Sequence, residues 1–173
     1  MRTLRAMRKD SRGLAAIEFA LIAGFLCVAV LNVSDIAVFL FDKLQVNNAT
    51  QMGVQAAWAS CDLNHLPVSS RCPAMANAVT AAVQSTSLGT SITLQSGSPS
   101  EGYYCVNSSG ALQYVSDVSA KPNNCSAAGS AGTVPADYVK VQTTYTYQPI
   151  FPGLSLALVF PTAITSIAYV RLG

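Results

Sequence analysis

The sequence predicts an α+β fold. A long N-terminal helix, transmembrane at first and extended beyond the membrane, packs on a small antiparallel β-sheet head with a second short helix. Three features predict it. Residues 14–41 are apolar except for Glu18, Asn32, Ser34 and Asp35. No proline interrupts the chain from there to Ser60. Downstream, "YVKVQTTYTYQ" alternates with the period of two that a strand requires.

Composition agrees. The 173 residues suit about one domain on a prior of ~100–200 residues per domain. Charged residues are 10% of the chain, well below the ~25% of a typical soluble domain, which points to a membrane. Charge is uneven. Arg2, Arg5, Arg8, Lys9 and Arg12 precede Gly13 with only Asp10 opposing them, a net +4; the remainder carries −2. This basic tail abuts a hydrophobic run and lacks interleaved aromatics. The rest of the chain lacks a basic face, so nucleic-acid binding is not expected.

The membrane segment comes first. A spanning helix needs ~20 apolar residues at 1.5 Å rise each, and Leu14–Ser34 supplies them. Asp35 is then expected at the far interface with its charge in reach of water, and Ile36–Phe41 continue beyond. The positive-inside rule puts the tail in the cytoplasm and the bulk of the chain outside. A cleaved secretory signal would have an apolar region of ~7–15 residues and a small-residue cleavage site, neither of which is present. A lipoprotein signal would use Cys27, but bulky Phe25 and Leu26 precede it.

Glu18 needs a reason. An acid at the centre of a membrane helix costs ~2.5–3.5 kcal/mol on insertion scales. Glu18 lies only ~6 Å along the axis from Leu14, so it costs less. It could snorkel to the cytoplasmic interface. Alternatively it pairs with a cation, and a cut after Gly13 would create one: the α-amine of Leu14, at a helix N-terminus where an acid is also favoured.

Helical spacing continues through "DKLQVNNATQMGVQAAWASC", with Leu44, Ala49, Met52, Ala56 and Trp58 as the expected packing face. The helix therefore runs from Leu14 to about Ser60, ~70 Å in all. Met52 and Trp58 are read as core. A second helix is expected over Pro73–Leu88, with proline in its first turn and Gly89 as its stop. Strands follow. "SITLQS" precedes the turn Gly97-Ser98-Pro99, and "GYYCVN" and "ALQYVSD" flank Ser108-Ser109-Gly110 as a hairpin. In the clearest strand Val139, Val141, Thr143, Tyr145 and Tyr147 share one face. "AITSIAYVR" is the last strand. Between these two, "LSLALVF" is either a buried turn of helix or a patch that meets membrane or partner.

Cys61, Cys72, Cys105 and Cys125 all follow the membrane run and allow three pairings. Cys61–Cys72 and Cys105–Cys125 are favoured: the first staples the long helix to the second, the other pins the polar loop after Val118 to the hairpin. An oxidising compartment such as the periplasm fits. Cys61, His65 and Cys72 do not have a zinc-site spacing and lack a fourth ligand, so no metal is expected. There is no nucleophile elbow, paired-carboxylate arrangement, P-loop or dinucleotide fingerprint. The chain reads as a non-enzyme without a cofactor.

The basic tail, Gly13, the apolar run and Glu18 five positions after the glycine resemble the class III signal of type IV pilin-like proteins. "RGLAAIEFALIAGF" looks most like the TadE-like minor pilins of Tad/Flp pilus systems, through Arg12-Gly13 and Glu18-Phe19-Ala20-Leu21. The likeness is specific over about thirty residues. It is weaker over "VKVQTTYTYQPIFPG" and "AITSIAYVR", and the middle of the chain is not covered. Type II secretion pseudopilins usually carry phenylalanine or methionine after the glycine, where this chain has Leu14. Major Flp pilins resemble a bare short helix, whereas this chain is far longer.

The resemblance implies a pilin-like fold with a leader, residues 1–13, that a prepilin peptidase removes between Gly13 and Leu14. Residues 14–41 would form the transmembrane and assembly helix, and 42–173 an extracytoplasmic domain. Expected partners are that peptidase, other pilin or minor pilin subunits, an inner-membrane assembly platform, and membrane lipid before extraction. Glu18 would pair with a neighbour's Leu14 amine or with its own. The protein would sit in the inner membrane with its C-terminal domain in the periplasm, and could pass into the pilus. A reading of another class is a bitopic anchor for an unprocessed binding or enzymatic domain.

Overall fold

The computed structural model describes residues 11–61, 66–153 and 155–172. Helix α1 spans Ser11–Ala59 without a break. It ends where Ser60 folds back, its amide donating to the Ala56 carbonyl at 3.0 Å and its hydroxyl to that of Ala57 at 3.0 Å. These bonds satisfy carbonyls that a helix end otherwise leaves open. Two short helices follow, α2 at Val68–Arg71 and α3 at Met75–Val83. The second helix is thus shorter than the expected Pro73–Leu88. It stops before the serine- and threonine-rich stretch Ser85–Ser87, whose side chains compete for backbone hydrogen bonds.

Among the described residues five strands form one antiparallel sheet: β1 (Thr93–Leu94), β2 (Ser100–Val106), β3 (Leu112–Ser116), β4 (Ala136–Thr146) and β5 (Ala163–Arg171). Strand β4 is central. One edge pairs with β5 along its length, from Tyr138↔Arg171 to Thr146↔Ala163. The other edge is shared in tandem: β1 covers Thr143 and Thr144, and β2 covers Ala136 to Lys140. The gap between them is closed at Gln142, whose carbonyl accepts the Gln95 amide at 2.9 Å and whose amide donates to the Ser98 hydroxyl at 2.8 Å. Strand β3 completes the sheet as a hairpin on β2, turning through Gly110 at φ +82°. The sheet and long helix make an α+β protein.

The chain divides into two compact units. One contains α1 up to Leu40 together with Gln148–Pro161; the other contains Phe41–Tyr147 and the strand that follows Thr162. In the second unit α1 buries Asp42, Val46, Ala49, Thr50, Gly53, Val54 and Ala57. This spacing of three and four residues is one helical stripe. It lies against the inner face of β4, where Val139, Val141 and Thr143 are fully buried. Helix and strand run in opposite senses. Asp42 accepts a hydrogen bond from the Tyr145 hydroxyl, Thr50 and Thr143 share one at 2.7 Å, and Gly53 abuts Val141. Burial raises the Asp42 pKa, and Tyr145 opposes that rise by stabilising the carboxylate.

The packing face differs from the one expected. Ala49 is buried, but Leu44, Met52 and Trp58 are exposed, so neither Met52 nor Trp58 is core. The helix is apolar on several sides, and close approach to the sheet selects the side with the smallest groups. At Gly53 an added Cβ would stand 2.7 Å from Val83 Cγ2 and 3.3 Å from Val141 Cγ1. On the outer face Tyr104 is buried beneath Tyr114, Tyr138 and Tyr169, with edge-on ring contacts of 5.5, 5.9 and 5.4 Å.

Candidate functional site

Gly13, Leu14 and Glu18 lie in the first turns of α1. Gly13 and Glu18 are exposed. Residues 1–10 of the expected leader lie outside the described residues. Leu14 and Glu18 are four residues apart, ~6 Å along the helix axis. The Gly13–Leu14 peptide bond sits within helical backbone. A protease would have to unwind it locally, which glycine eases by ~1 kcal/mol relative to alanine.

Above this foot the helix is an apolar cylinder. Ile17, Phe19, Leu21, Ile22, Phe25, Leu26, Val28 and Val30 are all exposed. Helix α1 is the one described helix long and apolar enough to cross a membrane. A surface of this kind is covered by lipid or by other apolar helices.

At Asn32 burial begins. Asn32, Asp35 and Phe39 are buried on one side of α1, under the segment Gln148–Pro161. The Asn32 Oδ1 atom accepts the Leu156 amide at 2.7 Å, while its Nδ2 donates to the Val28 carbonyl at 2.8 Å. Asp35 Oδ1 accepts the Ile150 amide at 2.9 Å. The Phe39 and Phe160 rings stack at 5.2 Å. Contrary to the expectation from sequence, the Asp35 carboxylate is therefore not in reach of water: it is 0% exposed, a buried acceptor under the loop. Its spacing of three from Asn32 in an apolar run was the available signal for this clasp. "LSLALVF" resolves into a 3-10 turn over Leu156–Val159, with Ser155 and Ala157 buried and Leu156 and Val159 exposed.

The cysteines form two pairs at disulfide distance. Cys61 and Cys72 have Cα atoms 6.0 Å apart, and Cys105 and Cys125 have theirs 5.7 Å apart. The second pair is buried with Ala128 and packed by Val115. Cys27 is a free, exposed thiol on α1. His65 lies outside the described residues. Among the described residues no three His, Cys, Asp or Glu side chains group as metal ligands.

A small cleft in the head brings together residues that sequence spacing does not connect. Glu101 accepts the Val68 amide at 2.8 Å and the Ser69 amide at 2.6 Å. Asp137 is buried beside it, its pKa pushed up to about 6 by burial and then by the Glu101 charge, with Lys121 opposing the rise. A cavity of about 210 Å³ is lined by Leu66, Pro67, Tyr103, Val118, Lys121 and Asp137. The Lys121 ammonium lies 5.7 Å from the Tyr103 ring centroid, a cation–π contact. These groups can hold a small polar ligand, but they include no nucleophile with an adjacent base. No family model, curated protein or solved structure matches the chain.

Proposed function

We propose that the chain is a minor pilin or pseudopilin of a Tad/Flp-type pilus, inserted in the inner membrane with its N-terminus in the cytoplasm and its head in the periplasm. The observation that carries this reading is the placement of Glu18. It stands five residues after Gly13, behind a basic tail, at the foot of an unbroken apolar helix. A prepilin peptidase would hydrolyse the Gly13–Leu14 bond and free the Leu14 amine. In the bilayer the exposed helix is covered by lipid. During assembly it exchanges lipid for the helices of other subunits, and the Glu18 carboxylate pairs with a Leu14 amine. That pairing offsets the buried charge and fixes axial register. The sheet packed on the outer part of α1 would be the pilin-like head.

Glu18→Val tests the reading. Cleavage and membrane insertion should continue, and pilus output should fall sharply. Normal output would return Glu18 to a snorkelling side chain. A type II secretion-like pseudopilin is the neighbouring alternative, with Leu14 against it. The unprocessed binding-domain alternative draws on the head cleft at Lys121 and Asp137.

A further inference from the structure

The segment Gln148–Pro161 is an apolar loop whose exposed residues have no protein cover among the described residues: Ile150, Leu156, Val159 and Phe160 are exposed, and Val159 is 81% exposed. We infer that this loop lies in the outer interface of the bilayer, with Leu156 and Val159 against the acyl chains, as a second membrane contact beside the spanning helix. The inference rests on the membrane reading of α1 but not on leader cleavage.

Depth is the first reason. A hydrocarbon core of ~30 Å takes about 20 helical residues, so a span that begins at Ala15 ends near Ser34. Leu156 is fixed to Asn32, at the inner edge of that boundary, and Ile150 to Asp35 just past it. Phe160 stacks on Phe39, ~7 Å beyond Ser34 at 1.5 Å per residue. The loop thus occupies the zone between hydrocarbon and water.

Charge is the second reason. No Lys, Arg, Asp or Glu occurs between Lys140 and Arg171. Hydrogen bonding is the third. Backbone groups that face lipid must find partners within the protein. Pro149, Pro152 and Pro161 have no amide hydrogen to satisfy. The Ile150 and Leu156 amides donate to Asp35 and Asn32, the Ala157 amide to the Ser155 hydroxyl, and the Phe160 amide to the Ala157 carbonyl. Four of the loop's amides are thus satisfied inside the protein. Polar side chains in the last turn of a membrane helix are accounted for as well: they hold the loop.

The test uses the full chain in phosphatidylcholine vesicles, with Trp58→Phe to remove the native tryptophan. Val159→Trp reports on the loop, Leu156→Trp repeats the measurement at a second exposed site, and Leu26→Trp reports on the helix. Circular dichroism and intact disulfides verify folding. The loop tryptophans should emit blue-shifted, lose most of their intensity to lipids brominated near the headgroup end of the acyl chains, and resist acrylamide. Aqueous emission with acrylamide quenching, while Trp at 26 is quenched by brominated lipid, would overturn the inference and leave the span intact. A loop tryptophan shielded from both quenchers would mean that a second copy or another protein covers it, which also overturns it. If Trp at 26 also escapes brominated lipid, the membrane reading fails and the inference with it.

Discussion

Asp35 and Ile150 are joined by a 2.9 Å hydrogen bond between residues 115 apart in sequence, the carboxylate of helix α1 accepting the amide of a distant loop. The bond turns an acid that would be awkward in an apolar run into an anchor. Hydrogen bonds to charged groups contribute ~1.5–3 kcal/mol, so Asp35→Ala should speed hydrogen exchange at the Ile150 amide by about tenfold or more. The Val139 and Val141 amides should be unaffected. Unchanged exchange at Ile150 would show that the clasp does not depend on Asp35.

Gly53 lies where helix α1 closely approaches Val83 and Val141. Helix propensity alone says that Gly53→Ala should stabilise α1 by up to ~1 kcal/mol. Packing says otherwise, because the new methyl would stand 2.7 Å from a methyl of Val83, which is itself buried. Overpacking of this kind costs ~1–3 kcal/mol, so the variant should unfold at lower urea concentration. Gly24→Ala, whose Cβ meets nothing within 4 Å, is the control that should not lower stability. A more stable Gly53→Ala would contradict the observed packing.

The Asp137 carboxyl makes stability depend on pH with a defined sign. Folded, it keeps its proton to about pH 6 because of burial and the neighbouring Glu101 charge. Unfolded, it ionises near the ordinary value of ~3.9. The folded state therefore binds the proton more tightly. The group adds no penalty to folding below about pH 4; the penalty grows through about pH 4–6 and is complete above that window. Asp137→Asn removes it. Urea titrations should show the variant more stable at neutral pH by roughly 1–3 kcal/mol, with the gain vanishing toward about pH 4. A gain that does not change with pH would rule out this origin.

Much of the fold was legible because it follows from periodicity. The absence of proline up to Ser60 anticipated a single helix, observed as Ser11–Ala59. "AITSIAYVR" coincides with β5, and the Ser108-Ser109-Gly110 turn joins β2 to β3. The buried face of α1 was not legible. Its members include Asp42, Thr50 and Gly53, which a hydrophobic pattern discounts, and they are buried because Tyr145, Thr143 and Val141 meet them from the sheet. "SITLQS" promised a full strand, yet only Thr93–Leu94 form one: Ser91 belongs to a 3-10 turn, and past the Gln95–Gln142 backbone bond β2 takes that edge of β4. The Asp35 clasp and the Asp137–Glu101 pair were hidden for the same reason. Each joins residues far apart in the chain: the Asn32–Asp35 spacing marks the helix side of the clasp, but local spacing does not reveal the loop that it holds, nor the Asp137–Glu101 pair.

The most direct test of the proposed function is the identity of the first residue. Intact mass and N-terminal sequencing should be compared for protein from cells with and without a prepilin peptidase. The account predicts Leu14 at the N-terminus only when the peptidase is present, and Met1 retained when it is absent. An uncut Met1 terminus in peptidase-positive cells would contradict it.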